Sequence, residues 1–393
     1  MSSLRPESET ELIAVVQDAL TQKTPLELIG TATKRRLGRP MQTAATLDLS
    51  RLSTVSLYEP EELVITAGVG ARLAEIRELI SATGQEFAFE PPDLSRLLGA
   101  EHSGTLGGML ACNLSGPRRL KAGAARDHIL GVTGVSGRGE VFKAGGRVVK
   151  NVTGYDVPKL MAGSFGTLAA LTSLTFKVLP KAESEETLVI EGLSDADAIV
   201  VMSHAMQSAC EVSGAAHLPE ALTDGAAKTY LRLEGIPPSV AYRRDKLTGI
   251  IGNRSPVHRL DAASSRAQWS ALRDVHPLAD GEDRSVWRLS VPPAEGARVT
   301  AALASQIEAR WFYDWAGGLI WIDVPPGMDA AALAIRGAVH QGHATLVRAP
   351  ETLRATIPVL QPQAPELAAL ARRVKTAFDP MGIFNPGRMQ EGV

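Results

Sequence analysis

Apolar residues recur at Leu12, Val15, Val16 and Ala19 within "ESETELIAVVQDALTQ". That spacing predicts a helix with one apolar face, opened by a Ser or Thr cap and acidic first-turn residues. Short apolar runs at "LELIG", "ATLDLSRL" and "LVITAG" predict strands. A second helix is expected over "ARLAEIRELISATG", stopped by Gly84. From 99 to 167 glycine is so frequent that tight turns and close backbone approaches are expected in place of ordinary core helices. "LAALTSLTFKVLP" closes this half as a strand, and "KAESEE" reads as a solvated linker.

Beyond that linker the pattern changes. Strand "ETLVIEG", helix "DADAIVVMSHAMQSA", strands "SGAAHLP" and "KTYLRLEG", helix "SVAYRRDKLTGIIG" and strand "SPVHRLDA" form one β-α-β-β-α-β series. A second series follows: "SVWRLSVP", helix "GARVTAALASQI", "ARWFYDWAG", "GLIWIDVPP", helix "MDAAALAIRGAVHQ" and "HATLVRAP". Each is a ferredoxin-like split unit by element order. The expectation is one antiparallel sheet with helices on one face, its other face covered or lining a site. A final helix, "LAALARRVKTAFDP", stops at Pro380.

Composition narrows the classes. A chain of 393 residues suggests two or three domains. A net charge of −2 with no basic block excludes a nucleic-acid footprint. Cys112 and Cys210 lack metal-ligand spacing and are too few for a disulfide framework, so no metal site is expected. With no apolar leader and no run near the ~20 residues of a membrane span, a cytoplasmic protein is expected. It would meet a membrane only through partners, at the inner face of the cytoplasmic membrane.

Two phosphate-binding readings compete. "VITAGVGARLAEI" nearly matches a dinucleotide fingerprint, with Gly68, Gly70 and Glu90, but Leu73 occupies the third glycine position. The expectation there is a turn before a helix. The stronger reading joins several loops. "PLELIGTATK" ends a strand in small residues whose backbone N–H groups can crowd a diphosphate. "EPPDLS" is a paired-proline corner containing Pro92, and "GTLGGMLACNLSGPRR" and "GGRVVKNVTGYDVPKLMAGSFGTLAALTSLTFKVLP" are two more close-approach loops.

With these segments the first half resembles the FAD-binding half of the vanillyl-alcohol oxidase, or PCMH-type, flavoproteins. With "VWRLSVP", "YDWAGGLIW", "QGHATLV" and "FDPMGIFNPGRM" added, nearly the whole chain resembles the FAD-binding subunit of bacterial glycolate oxidase. The resemblance implies an α+β protein: a two-subdomain PCMH-type FAD domain over 1–181, a cap or substrate domain with the duplicated ferredoxin-like units over 182–375, and a tail, 376–393, returning to the FAD domain. It places Gly30, Thr31, Ala32, Thr33 and Lys34 on the FAD diphosphate, with Arg35 and Arg36 left as a solvated basic turn. Gly104, Thr105, Gly107 and Gly108 approach from the other side. Gly154, Tyr155 and Asp156 flank the cofactor, Gly163, Ser164, Gly166 and Thr167 pass near the flavin, and Asn385 comes from the tail. Residues 28–40 hold no His or Cys, the residues by which some relatives attach flavin, so FAD is expected to be non-covalent.

The implied activity is oxidation of glycolate to glyoxylate, with electrons passing through an iron–sulfur subunit to an acceptor such as quinone. The implied partners are that subunit, a companion flavin subunit and the small hydroxy acid. Strand alternation makes Arg288 a carboxylate clamp, and His343, at a glycine turn entering the last strand, the base. Tyr313, Asp314 and Trp315 are candidates to line the same surface. A "GGDGN"-type motif with histidines, found in the companion subunit, is missing here. Two other readings therefore stay open: an FAD-bearing assembly subunit without catalysis of its own, and an independent oxidase of another hydroxy acid or alcohol.

Overall fold

The computed structural model describes residues 2–147, 154–252, 255–281, 283–328 and 330–393. The chain forms two compact units. The first comprises Met1–Ser115, Gly123–Lys181 and Pro362–Val393, the second Gly116–Ala122 and Ala182–Gln361.

The first unit holds two principal sheets. Strands β1 (Ser2–Leu4), β2 (Leu26–Ile29) and β3 (Ala45–Asp48) pair in parallel, in the order β1-β3-β2. The expected first helix, Glu9–Gln22, buries Leu12, Val16 and Ala19; Ser8 caps it by accepting from the Glu11 N–H at 3.2 Å. Strands β4 (Val55–Glu59), β5 (Val64–Gly68), β7 (Ile129–Ser136), β8 (Val141–Gly145) and β9 (Ala169–Lys177) form an antiparallel sheet ordered β4-β5-β9-β7-β8. A short ladder joins β6 (Gln85–Glu86) to β10 (Leu179–Pro180).

Two features of this unit depart from the sequence pattern. The glycine-rich stretch contains β7 and β8, because glycines such as Gly134 sit where a Cβ would strike the neighbouring strand's backbone at Ala170 and Leu171. The near-dinucleotide stretch is antiparallel: β5 pairs with β4 and β9, so no parallel βαβ unit exists there. Gly68 and Gly70 let the turn pack on the carbonyls of Leu52 and of Leu49 and Ser50.

The second unit is the duplicated fold. Strands β11 (Ser184–Glu191), β12 (Gly214–Leu218), β13 (Lys228–Gly235), β14 (Val257–Leu260), β15 (Ser285–Ser290), β16 (Arg310–Asp314), β17 (Leu319–Val324) and β18 (His343–Arg348) make one antiparallel sheet, ordered β14-β11-β13-β12-β16-β17-β15-β18. Each ferredoxin-like repeat supplies four neighbouring strands, and the repeats meet edge to edge through their second strands. The ladder there is a single pair, His217 with Tyr313. A partly buried polar cluster reinforces it. Asp195 accepts from Tyr313 Oη at 2.6 Å and Trp311 Nε1 at 2.8 Å, and lies 3.3 Å from His217 Nε2.

Helices Asp195–Gln207, Pro237–Ile251, Gly296–Ala304 and Ala331–Ala338 bury one apolar core with the sheet. The opposite face over the first repeat is covered by Ala262–Arg273, a helix the sequence pattern missed. Its Trp269 is buried and donates to Thr187 Oγ1 at 2.8 Å, while Arg232 stacks on the indole. The "KAESEE" segment is less of a linker than expected, since β11 already starts at Ser184.

Candidate functional site

The first unit contains a cleft framed by three chain segments. Its floor comes from the end of β2 and the loop after it: Leu28, Ile29, Gly30, Thr31, Ala32, Thr33 and Lys34. One wall is Thr105, Gly107, Gly108, Ala111 and Cys112; the other is Ser164, Phe165 and Gly166, with Asn385 and Arg388 from the C-terminal segment.

Close packing explains the small residues. A Cβ at Gly30 would sit 2.5 Å from Thr105 Oγ1, the atom that caps the helix Leu106–Ala111 by accepting from Gly108 N at 3.2 Å. A Cβ at Gly104 would lie 2.6 Å from Lys34 Nζ, so this glycine makes room for the ammonium without lining the cleft itself. Ala32, Phe165 and Asn385 all take positive φ (58°, 53° and 41°) and all line the cleft. Left-handed backbone at non-glycine residues is costly, and its concentration here fits a ligand-holding function.

The C-terminal segment is tied in by hydrogen bonds. Asn385 Oδ1 accepts from Leu28 N at 2.8 Å and its Nδ2 donates to Phe165 O at 2.7 Å. Lys375 donates to Thr167 O at 2.6 Å, Asp379 Oδ2 at 2.6 Å and Phe384 O at 3.0 Å. Thr167 thus supports the wall from behind, with its hydroxyl on Ser164 O at 2.7 Å.

The cleft is electropositive. Lys34 donates only to Thr33 Oγ1, at 3.3 Å, and Arg388 donates to Lys34 O at 2.7 Å; neither has a carboxylate ion-pair partner among the described residues. Burial lowers the pKa of both. Burial also raises the Cys112 thiol, which therefore stays protonated and supplies no counter-charge. Arg35 differs, since it forks onto Glu27, at 2.7 Å through Nε. Two partly desolvated cations beside a loop of small residues fit a diphosphate, so the donor set here suits FAD: Lys34, Arg388 and the 30–34 backbone would hold its phosphates.

Other expected residues lie elsewhere. Tyr155 is 95% exposed, and neither it nor Gly154 or Asp156 lines the cleft; Asp156 caps the helix Val157–Met161. Pro92 is buried, and Gly163 donates its N–H to Leu110 O at 3.0 Å; neither lines the cleft. Residues 148–153 of the "GGRVVKNVTG" segment lie outside the described residues. Arg388 and Cys112 were missed. The Arg in "FNPGRM" was the available signal, but nothing local distinguishes it from a turn residue.

In the second unit, strand register puts Arg288 and His343 on the same sheet face: Arg288 is opposite Thr345, and Ser290 opposite His343. Arg288 lies over the Trp315 ring, 5.0 Å from its centroid, and is pushed down to about 10 by burial and by Arg119, with Asp314 opposing. His343 is exposed. Tyr313 is different from its expected role: it points into the helix-side core, on Asp195.

The fold and this cleft define an FAD-binding flavoprotein of the PCMH type. Residues 3–145 match the family described as FAD binding domain. The structure of p-cresol methylhydroxylase with substrate bound superposes with a TM-score of 0.72 at 14% identity, covering 99% of this chain and 88% of that one. Alkyldihydroxyacetonephosphate synthase gives 0.70 at 16% identity, covering 98% and 75%. At these identities the likeness shows the fold alone. The chain belongs to the family of glycolate oxidase subunit GlcE: it is 32% identical over 378 residues to that subunit of Escherichia coli (strain K12), covering 96% of each chain. Shorter matches join it to glycolate oxidase subunit GlcD of Bacillus subtilis (28% identity; 47% of this chain, 38% of that one) and D-lactate dehydrogenase of Anaerostipes hadrus (32%; 49% and 40%). The family is one of FAD-dependent oxidoreductases. Among the described residues, no helix is long and apolar enough to cross a membrane.

Proposed function

We propose that the chain is the FAD-binding subunit of a glycolate oxidase assembly. The assembly oxidises a 2-hydroxy acid, glycolate foremost, to the 2-oxo acid and passes electrons through an iron–sulfur partner to an acceptor such as quinone. The observation that carries this is the near full-length relation to glycolate oxidase subunit GlcE, joined to a cleft whose cations, without carboxylate partners among the described residues, suit a diphosphate. Non-covalent attachment belongs to the same reading. FAD, when bound, supplies the two-electron acceptor for the hydride leaving the hydroxyl-bearing carbon. On the second unit, Arg288 holds the substrate carboxylate and His343 takes the hydroxyl proton.

One observation favours a second reading. His343 is exposed and its ring makes no hydrogen bond to a described residue, whereas a working base is normally oriented by one. In that reading the companion flavin subunit oxidises the substrate and this chain bears FAD within the assembly.

The experiment is to purify the tagged chain with its co-purifying subunits and follow turnover of glycolate. Arg288→Lys keeps the charge but loses the planar fork. It should cost at least roughly 1.5 kcal/mol, or about tenfold in kcat/KM, with FAD retained. If Arg288→Lys and His343→Ala both assemble, keep FAD and turn over normally, the substrate is not held here and the second reading stands.

A further inference from the structure

Along β15 and β18 the side chains divide between two faces. Trp287 and Leu289, with Ala344 and Leu346, point into the helix-side core. Arg288, Ser290, His343 and Thr345 share the opposite face, since side chains alternate along a strand. The ladder fixes which residues meet: Arg288 lies directly across from Thr345, and Ser290 from His343. Four polar side chains thus occupy two adjacent rows of one block, about 5 Å across the strands and about 7 Å along them. The turn before β18 is built to reach this register. Gly342 takes a φ of 125°, and a Cβ there would collide with the Ser290 carbonyl oxygen, so glycine is needed for the chain to enter β18 with His343 beside Ser290.

None of these four side chains makes a hydrogen bond or ion pair to a described residue; Arg288 stacks on the Trp315 indole and does no more. Arg288, Ser290 and Thr345 are nevertheless half-buried, where polar groups ordinarily have partners. Asp323, on the same face of β17, shows the ordinary case: it is held by Arg284 at 2.9 Å and by Arg310 at 3.1 Å. On the other side of β15 from β18, β17 sets Trp321 beside Arg288 and Leu319 beside Ser290, both buried. The unengaged polar groups are therefore gathered on the last two strands of the sheet against an apolar border, in place of being scattered over a solvated face.

We infer that this block seats the hydroxy acid in two rows: Arg288 and Thr345 together bind the carboxylate, and Ser290 and His343 the 2-hydroxyl. The Thr345 hydroxyl donates to a carboxylate oxygen beside the Arg288 guanidinium. The Ser290 hydroxyl donates to the substrate hydroxyl oxygen, which leaves that group's own proton directed at the His343 ring. The inference rests on Arg288 as the clamp and His343 as the base, and adds Thr345, Ser290 and the direction in which the substrate lies.

The test uses the purified assembly with FAD bound, glycolate as substrate, and acetate, which has the carboxylate and no hydroxyl, as competitive inhibitor. Thr345→Val removes the hydroxyl at nearly constant volume. It should raise the acetate Ki and the glycolate KM about tenfold each with kcat within about twofold, the pattern of lost uniform binding. Thr345→Ser keeps the hydroxyl and should stay within about threefold of wild type, which a role in packing alone does not predict. Ser290→Ala should raise the glycolate KM about fivefold and leave the acetate Ki unchanged. FAD content and retained subunits report that the variants are folded. An acetate Ki raised by Arg288→Lys and unmoved by Thr345→Val keeps the clamp and overturns the role of Thr345, as does a Thr345→Ser variant no better than Thr345→Val. An acetate Ki unmoved by either Arg288→Lys or Thr345→Val overturns the clamp itself. An acetate Ki raised by Ser290→Ala as far as by Thr345→Val overturns the two rows, and acetate that fails to inhibit the wild type overturns the whole.

Discussion

Replacing Lys375 with Met should release the C-terminal segment from the cofactor cleft. Lys375 is 5% exposed, and its three ammonium hydrogens are used on Thr167 O, Asp379 Oδ2 and Phe384 O. Asp379, 1% exposed, accepts in turn from the N–H groups of Ile383 at 3.0 Å and Phe384 at 2.9 Å. Met keeps the length and loses the charge, stranding a buried carboxylate and two carbonyls. Breaking a buried pair from one side costs about 3–5 kcal/mol. The chain has two units, so a single unfolding free energy is not the right readout. Native-state hydrogen exchange at the Ile383 and Phe384 amides reports the local opening. A loss of about 3 kcal/mol should speed it roughly 150-fold. Adding Asp379→Asn should recover part of the loss by removing the stranded charge. Because Asn385 and Arg388 line the cleft on the same segment, FAD affinity should fall as well. Exchange accelerated by the equivalent of less than about 1 kcal/mol, with FAD affinity unchanged, would refute the coupling of this clamp to the cleft.

Two further outcomes follow from the same kind of reasoning. Gly30→Val should lower FAD affinity more than tenfold by driving Thr105 off its cap, measured by flavin content after gel filtration; full occupancy would sink the loop assignment. Asp195→Ala should cost about 3 kcal/mol in the second unit, because Tyr313, Trp311 and His217 lose a shared partner. Burial raises the Asp195 carboxyl, but hydrogen bonds from His217, Tyr313 and Trp311 outweigh it and leave the pKa below its ordinary value. The unfolded chain therefore binds more protons, and the stability Asp195 contributes is present above about pH 4 and lost as pH falls through the folded pKa. Thermal melts between pH 3 and 7 should show that acid limb shrink in Asp195→Asn.

The second unit was the more legible half. All eight strands and four of its helices are legible as short apolar runs and helical periods in a twice-repeated order, although β12 and β17 are buried at every position and show no alternation. The missed helix, Ala262–Arg273, has only Trp269 and Leu272 as large buried side chains, so its apolar stripe is too thin to read. In the first unit, glycine obscured β7 and β8, since close strand packing and tight turns use the same residue. The loop 30–34 was readable because small residues at a strand's end have few other uses. The flanking role assigned to Tyr155 rested on motif alone, and its 95% exposure places it off the cleft. Arg388 acquires its place only through the hydrogen bonds that fold 384–388 back onto β2, a contact across most of the chain.

The central claim is that the 30–34 loop, with the cations Lys34 and Arg388 beside it, holds FAD. The most direct measurement is the flavin content of the purified chain, wild type beside Lys34→Met/Arg388→Met, with each sample acid-precipitated and the supernatant identified chromatographically. The account predicts one FAD per wild-type chain, all of it released to the supernatant, and little or none on the double variant. FAD retained by the double variant at full occupancy, flavin left in the wild-type pellet, or a wild-type chain that takes up no FAD, would contradict it.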